Sequence, residues 1–561
     1  MLPRAHSGGA VRSGLALIIL CACLLAAGCW RIYSNTWDEP EHIAAGIELL
    51  DKGHYEYDTE HPPLARALLA LGPYLAGARS FGTPPPEGTP EGIDILYAGG
   101  HYWRYLTLAR LGALPFLALL LYATWLWARR LFAPAAALLP VLLLVSVPPL
   151  LGHAGLASLD VAAAATILLA LYALQLWLSS GRLRAAALCG LLSGVAVVTK
   201  FSAVPFIGLS LPVLALARAA LARRAAAPGP PAGARVWLGG AVLAGLGLLV
   251  PLWLAYGPRS QDPTGVALRY HWAQAYLLQR PGLDHLLGVL LSRLALPREL
   301  SDLLDGMVAV KAHNDSGHLS YLLGEVRSSG WWYFYLVALA VKTPLPLLLG
   351  APPGLAWLAV RGWRCAEPWA LAPPLLLLTL LTFTSSFSHI NIGIRHVLIL
   401  YPFLALGAAW AAQRIWQRGG RLRVLPARWA VRGVLLALLL WQLSVLWRAY
   451  PDYLPYFNET VHDPERVLVD SDLDWGQDLY RLEQRAAQLG IGQLAIAYRG
   501  TADLALEPLP PYRVLLPQQP AQGWVAVSAL ARTRNASDYA WLNAYRPVER
   551  VGKTIDLYYI P

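Results

Sequence analysis

The chain has 561 residues, 56% of them hydrophobic and only 14% charged, with a net charge of +11. Soluble domains carry about 25% charged residues, so this composition excludes an ordinary soluble fold and points to a polytopic membrane protein. The five cysteines, Cys21, Cys23, Cys29, Cys189 and Cys365, lie in apolar runs or a short loop, which excludes a disulfide framework or a zinc-type spacing.

Apolar runs near the ~20 residues that cross a bilayer predict eleven spans, at about 14–32, 104–127, 134–151, 160–178, 185–200, 202–220, 236–256, 331–351, 367–385, 394–413 and 430–447. "LAAGC" at 25–29 loosely resembles a lipoprotein cleavage box, but Ala26 fits it poorly, and the first helix is expected to stay uncleaved. With the N-terminus inside, the cytoplasmic segments hold Arg4, Arg12, Arg129, Arg130, Arg182 and Arg184. Further arginines follow as far as Arg432, with Glu367 as essentially their one acid. The opposite segments hold the acids, beginning with Asp38, Glu39, Glu41, Glu48 and Asp51. Short basic loops stay cytoplasmic, so the positive charge reads as a topology signal rather than a nucleic-acid footprint.

Three external segments are too long for simple turns. The first, 33–103, contains "PPLARALLALGPYLAGA", an apolar stretch short enough to lie as a juxtamembrane helix. The second, 257–330, mixes aromatic residues with "HNDSGHLSYLLGE". The third is the tail from 448 to 561, where "RVLVD", "QLAIAYRG", "GWVAVSAL" and "KTIDLYYI" read as strands. "QDLYRLEQRAAQL" reads as an amphipathic helix and "YAWLNAY" as a short one, so the tail is expected to be a small α/β domain. Asn314, Asn458 and Asn535 head N-x-Ser/Thr sequons on the predicted outer side.

Ionisable residues in or beside membrane spans are expensive and are functional candidates by default. Asp38 and Glu39 follow the first span, His61 and Arg66 flank the juxtamembrane helix, and His153 and Asp160 bracket the turn before the fourth span. Lys200 ends the fifth span, and Arg395 and His396 start the tenth. Lys342 lies well inside the eighth, roughly 16 Å from its outer end at 1.5 Å per residue. Each residue alone could snorkel or cap a helix. Together they share one membrane side and suggest an outer-leaflet cavity with an acidic rim over basic groups, suited to a lipid phosphate beside a carboxylate. In "DEPEH", Pro40 starts a helix that Gly53 stops, and Asp38 sits at its N-terminus, where the helix dipole favours an ionised carboxylate. Such a group can act as a general base, or simply as an acidic cap.

The residues "WDEPEH" after the first span, "EHPPLARALLAL", an Asp after span three and a large external loop together resemble the GT-C glycosyltransferases. They are most similar to the dolichyl-phosphate-mannose protein mannosyltransferase group and its bacterial, polyprenyl-phosphate-dependent members. "HINIGIRHVLILYPFLALG" and "VDSDLDWGQDL" also look like stretches of bacterial members. The resemblance implies an all-α polytopic GT-C fold, with a transmembrane catalytic domain at 1–447 and an extracytoplasmic α/β domain at 448–561. It implies Asp38 as general base with Glu39 as its acidic neighbour, and His61 as part of an HPP motif. Arg66 stands where a Lys is common in the family, and "GLASLD" lacks the Arg that usually precedes Asp160. The lipid A aminoarabinose transferases carry an Arg soon after their acidic pair. Here Glu41 and His42 occupy that neighbourhood, which weighs against aminoarabinose as the sugar.

The implied reaction is inverting transfer from a polyprenyl-phosphate-linked sugar donor to a hydroxyl on a protein, lipid or glycan acceptor. His61, Arg66, Lys200 and Arg395 are candidates for the donor phosphate, with His42, Asp160, Lys342 and His396 in support. No cofactor is demanded, although two external carboxylates leave a divalent cation open. The location implied is a bacterial inner membrane, with a cytoplasmic N-terminus and the C-terminal domain outside. The rival reading is a secondary transporter or flippase, in which the same charges carry ions or bind headgroups; a third is an envelope scaffold. "DSDLDWGQD" at 470–478 spaces its acids like a calcium loop, but Trp475 stands where the glycine belongs, so it reads as an acid-capped turn.

Overall fold

The computed structural model describes residues 7–84, 88–225, 234–257, 273–292, 298–421 and 424–561. Arg4 and parts of the segment expected at 257–330 lie outside the described residues. Helix α1 (Ser7–Ala27) opens the chain, and the segment after it forms α2 (Glu39–Lys52), α3 (Pro63–Leu75) and α4 (Gly88–Tyr97). Then come α5 (Tyr102–Leu111), α6 (Leu114–Leu131), α7 (Leu138–Val145) and α8 (Pro148–Ala154). Next are α9 (Asp160–Ser180), α10 (Leu183–Val197), α11 (Ala203–Ala225) and α12 (Ala234–Tyr256). The long segment after α12 contributes α13 (Leu283–Ser292), α14 (Arg298–Ser316) and the hairpin β1 (Ser320–Leu322) with β2 (Glu325–Arg327). The chain re-enters through α15 (Phe334–Lys342), α16 (Leu345–Arg364), α17 (Pro368–Phe387), α18 (Tyr401–Gly419) and α19 (Leu425–Ala449).

Among the described residues, eight helical stretches are long and apolar enough to cross a membrane, against the eleven spans expected. Proline accounts for two of the differences. The expected span at 134–151 is split into α7 and α8, because Val147 precedes Pro148 and adopts an extended conformation, φ −101° and ψ 102°. The expected span at 331–351 likewise breaks between α15 and α16, where Thr343 before Pro344 has φ −95° and ψ 132°. The third, α10, is apolar but only 15 residues long. The protein is an integral membrane protein with multiple spans and a buried aromatic-rich core that includes Trp127, Tyr335, Tyr401 and Phe403.

The tail forms a five-stranded mixed sheet in the order β4-β3-β5-β7-β6. The strands are β3 (Leu494–Ala497), β4 (Tyr512–Val514), β5 (Gly523–Ser528), β6 (Glu549–Val551) and β7 (Ile555–Ile560). β3 runs parallel to β4 and β5, whereas β7 is antiparallel to β5 and β6. Apolar residues of the amphipathic helix α20 (Leu479–Gln488) pack on one face of the sheet, and Tyr539 and Leu542 pack on the other. "RVLVD" is not a strand: 3-10 turns at Pro464–Arg466 and Asp470–Asp472 flank Val469, and Asp470 has φ +58°. Short edge strands at 512–514 and 549–551 complete the sheet instead. Backbone bonds join this domain to the membrane body: Trp37 N–H donates to Trp475 O at 3.1 Å, and Ser34 N–H to Gln477 O at 3.0 Å.

Candidate active site

Helix α2 carries the "DEPEH" residues, and its position is set by backbone contact. A Cβ on Gly46 would lie 2.3 Å from Arg66 O in α3, and one on Gly92 would lie 2.0 Å from Pro40 O, so glycine alone allows both approaches. Pro40 sits in the first turn and Gly53 ends the helix with φ +75°, as the sequence leads one to expect. Asp38 occupies the N-cap position, but its side chain makes no capping bond. Its carboxylate turns away from the helix.

The acidic pair divides. Glu39 is fully buried, and its carboxylate accepts from Arg110 Nε and Nη2, Ala157 N and Thr36 N, each at 2.8 Å. Arg110 also donates to the carbonyls of Tyr33 and Ser34, each at 2.9 Å. Burial opposes ionisation of Glu39, but Arg110 and the other donors outweigh it and hold the carboxyl below its ordinary value. Every oxygen of Glu39 is committed, and the residue ties the segment after α1 to α5 and to the turn before α9. It does not line the cavity, which corrects the expectation that it works beside Asp38.

Asp38 instead joins a relay of alternating charges. Arg395 Nη1 donates to Asp38 Oδ2 at 2.5 Å and lies 3.6 Å from Asp160 Oδ2. Lys200 Nζ donates to Asp160 Oδ1 at 2.6 Å. Four chain segments meet here: the start of α2, the first residue of α9, the turn between α10 and α11, and the 3-10 turn Ile394–Leu400 ahead of α18. The Arg395 guanidinium is stacked over Trp475 at 4.6 Å from the ring centroid. Buried Arg395 Nε has no hydrogen-bond partner.

These residues border a cavity of about 1320 Å³. Asp38, His42, His61, Lys200, Arg395 and His396 line it. Asp160 stands behind the wall as the partner of Lys200 and Arg395. Arg66 and Lys342 do not line it. Arg66 is fully buried, donating to Tyr55 Oη at 2.8 Å, to the Asp58 carboxylate and to His42 Nδ1 at 3.1 Å. It organises the turn before α3 and stands outside the cavity lining, away from the place expected for a donor phosphate. Lys342 is buried at the break between α15 and α16 and donates to the carbonyls of Leu454 at 2.9 Å and Asp472 at 2.5 Å. Those carbonyls belong to the tail, and Lys342 fastens it to the membrane body. Asn458 is buried as well, its amide donating to the carbonyls of Ala340 and Thr343, so this sequon is not displayed to solvent.

The tail also reaches the cavity, which spacing along the chain did not show. Asp470, Trp475, Leu530 and Arg534 line it, and Arg534 Nη2 pairs with Asp470 Oδ2 at 2.7 Å. The signal was the acid-rich "DSDLDWGQD" turn, whose carboxylates work as braces rather than ion ligands. Asp472 accepts from Ile394 N at 3.1 Å and Asp474 from Leu530 N at 2.8 Å.

The electrostatics vary around the wall. Burial and the neighbouring Arg66 hold the His42 imidazole well below its ordinary value, consistent with Nδ1 acting as an acceptor. Burial opposes ionisation of Asp58, but Arg66 and His61 outweigh it and hold its carboxyl well below the usual range. Burial, reinforced by Asp58, pushes Glu41 up to about 7. Burial and Arg534 push His318, on the opposite wall, down to about 4. Among the described residues, Glu48, His54 and Glu56 are the group whose ligand atoms lie close enough to hold a metal ion. Glu48 already accepts from Glu56 N at 2.7 Å and contacts His54 Nδ1 at 2.7 Å, a turn-stabilising arrangement.

A carboxylate held against a guanidinium, with a second carboxylate and a lysine behind it, in a cavity that the C-terminal segment also lines, fits the class of polytopic membrane glycosyltransferases that the "DEPEH" and HPP residues resemble. The family model of dolichyl-phosphate-mannose-protein mannosyltransferases matches residues 17–226, the stretch that holds Asp38, His61, Asp160 and Lys200. No curated protein matches the sequence. Among solved structures, the chain is similar to ArnT from Cupriavidus metallidurans bound to undecaprenyl phosphate, with 16% identity, 99% of this chain and 98% of that one covered, and a TM-score of 0.49. It is also similar to the Archaeoglobus fulgidus oligosaccharyltransferase in the apo form, with 13% identity, 77% and 55% covered, and a TM-score of 0.45. The chain thus spans about half the length of that archaeal protein.

Proposed function

We propose that the protein is an inverting glycosyltransferase that moves a sugar from a polyprenyl-phosphate carrier to an acceptor hydroxyl on the outer face of the membrane. The observation that carries this reading is the Asp38–Arg395–Asp160–Lys200 relay in the cavity wall. The family match over residues 17–226 supports a lipid-phosphate sugar as the donor. Asp38 takes the proton from the acceptor hydroxyl, whose oxygen forms the new bond to the sugar C1 as the bond from C1 to the phosphate oxygen breaks. The pair of bonding electrons leaves with the polyprenyl phosphate. Arg395 and Lys200 stabilise the charge on that phosphate through charge-assisted hydrogen bonds, and Asp160 holds both cations in place. A phosphate that engages Arg395 competes with Asp38 for the guanidinium, so donor binding loosens the 2.5 Å pair and frees the base. The basic segments, including Arg129 and Arg130 at the end of α6, support a cytoplasmic N-terminus and an external tail. The acceptor is a protein, lipid or glycan hydroxyl.

The test is purified protein incubated with a panel of polyprenyl-phosphate sugars and acceptor extracts, following free polyprenyl phosphate and transferred sugar. Release of polyprenyl phosphate that depends on Asp38 supports the reading. No donor consumption with any extract would favour a transporter or flippase.

A further inference from the structure

Glu41 is a cavity residue to which neither the relay nor the scaffold assigns a task. It lies one helical turn beyond Asp38, with Asp38, Glu41 and His42 all lining the cavity from the same face of α2. Side chains three apart on a helix are neighbours, their Cβ atoms about 5–6 Å apart, so this carboxyl flanks the group that acts on the acceptor. The other charged groups nearby are matched. Asp58 is held by Arg66 and His61, Glu60 by His313, Asp38 by Arg395, and Glu39 by Arg110. Among the described residues, Glu41 makes no hydrogen bond or ion pair, although it is substantially enclosed. Its stem packs on the start of α4, where a Cβ on Gly88 would lie 3.2 Å from its Cγ, so α4 limits where the carboxyl can swing.

We propose that Glu41 contacts substrate, hydrogen-bonding a hydroxyl of the transferred sugar and so selecting which glycosyl group is accepted. An enclosed carboxyl without a protein partner is costly unless a ligand satisfies it, and a sugar bound for attack beside Asp38 places its ring hydroxyls at this distance. Burial first, and then the nearby carboxylates of Asp58, Asp38 and Glu60 against the opposing Arg66, favour its protonated form. It can then donate one hydrogen bond and accept another, which matches a hydroxyl. A site built to bond a hydroxyl strongly rejects the analogue that lacks it, because the protein group is left unpaired.

This inference rests on the glycosyltransferase reading, and the experiment separates the two. Wild type, Glu41→Ala and Glu41→Gln are compared on the polyprenyl-phosphate sugar that the wild type consumes, and on analogues each lacking one ring hydroxyl. Wild type consuming no donor defeats the function reading itself. If wild type turns over, Glu41→Ala is expected to lower kcat/KM on the parent donor roughly 10- to 100-fold, with little effect on the one analogue that lacks the bonded hydroxyl. Glu41→Gln, which keeps the volume and a donor, is expected to lose less. A loss spread equally over parent and every analogue, or no loss in either variant, overturns the role of Glu41 and leaves the relay standing.

Discussion

Replacing Glu39 by Gln separates the two halves of the acidic pair more sharply than any change at Asp38. Both Glu39 and Arg110 are fully buried, so the Gln leaves a guanidinium with no counter-charge. The Gln also places an NH2 group against N–H donors from Arg110, Thr36 or Ala157, each at 2.8 Å in the native arrangement. Breaking a buried pair by removing one partner costs about 3–5 kcal/mol, a factor of about 150 to 5,000 in the folding equilibrium. Asp38→Asn is different. Asp38 is partly open to the cavity, and Arg395 keeps Asp160 at 3.6 Å, so the loss of stability is expected to be about 1 kcal/mol. The loss of turnover is expected to be about 10²- to 10⁴-fold, the range for a general base. The assay measures the denaturation midpoint of each purified variant in detergent, and turnover per folded molecule. An unchanged midpoint for Glu39→Gln with abolished turnover would refute the division of roles, as would Asp38→Asn that turns over normally.

Further outcomes follow from the contacts. Trp475→Ala is expected to raise KM for the lipid-phosphate donor, because Arg395 loses a cation–π contact of about 0.5–2 kcal/mol. Trp475→Phe should recover part of that loss, and identical kinetics in all three proteins would refute a positioning role. Lys342→Met leaves the carbonyls of Leu454 and Asp472 without their donor, for an expected cost of about 1–3 kcal/mol in stability and no change in turnover per folded molecule. The hydrogen bond to Glu60 holds the His313 imidazole above its ordinary value, against the opposing effect of burial. The pair therefore stabilises the contact between the turn before α3 and helix α14 fully below the unfolded histidine pKa, and loses that contribution as pH rises through the raised folded value. Hydrogen exchange across α14, corrected for intrinsic rates, should increase over that window in wild type and show no such step in Glu60→Gln.

The membrane class was legible in the apolar runs, because each helix must satisfy its own backbone in lipid and cover it with apolar side chains. The boundaries of α2 were equally legible, since Pro40 and Gly53 act locally. So were four elements of the tail, α20, β3, β5 and β7. "RVLVD" failed because Val467 and Leu468 pack into the membrane body's core while Val469 packs within the tail, and Asp470 adopts a left-handed backbone that no strand pattern signals. The expected spans at 134–151 and 331–351 failed because hydropathy averages over a proline, whereas the backbone cannot.

The sequence by itself determined that charged residues would concentrate at the ends of the apolar helices, because lipid excludes them from the helix middles. Tertiary structure alone decided what each of them faces. Asp38 and Glu39 are adjacent in the chain, yet one meets Arg395 across 357 positions and opens to the cavity, while the other is sealed against Arg110. Arg66 looked like a phosphate ligand and Lys342 like a supporting charge, but the nearby Asp58 claims the first and carbonyls brought by the distant tail claim the second. Ion pairing acts over a few ångströms of space, and distance along the chain carries no information about that.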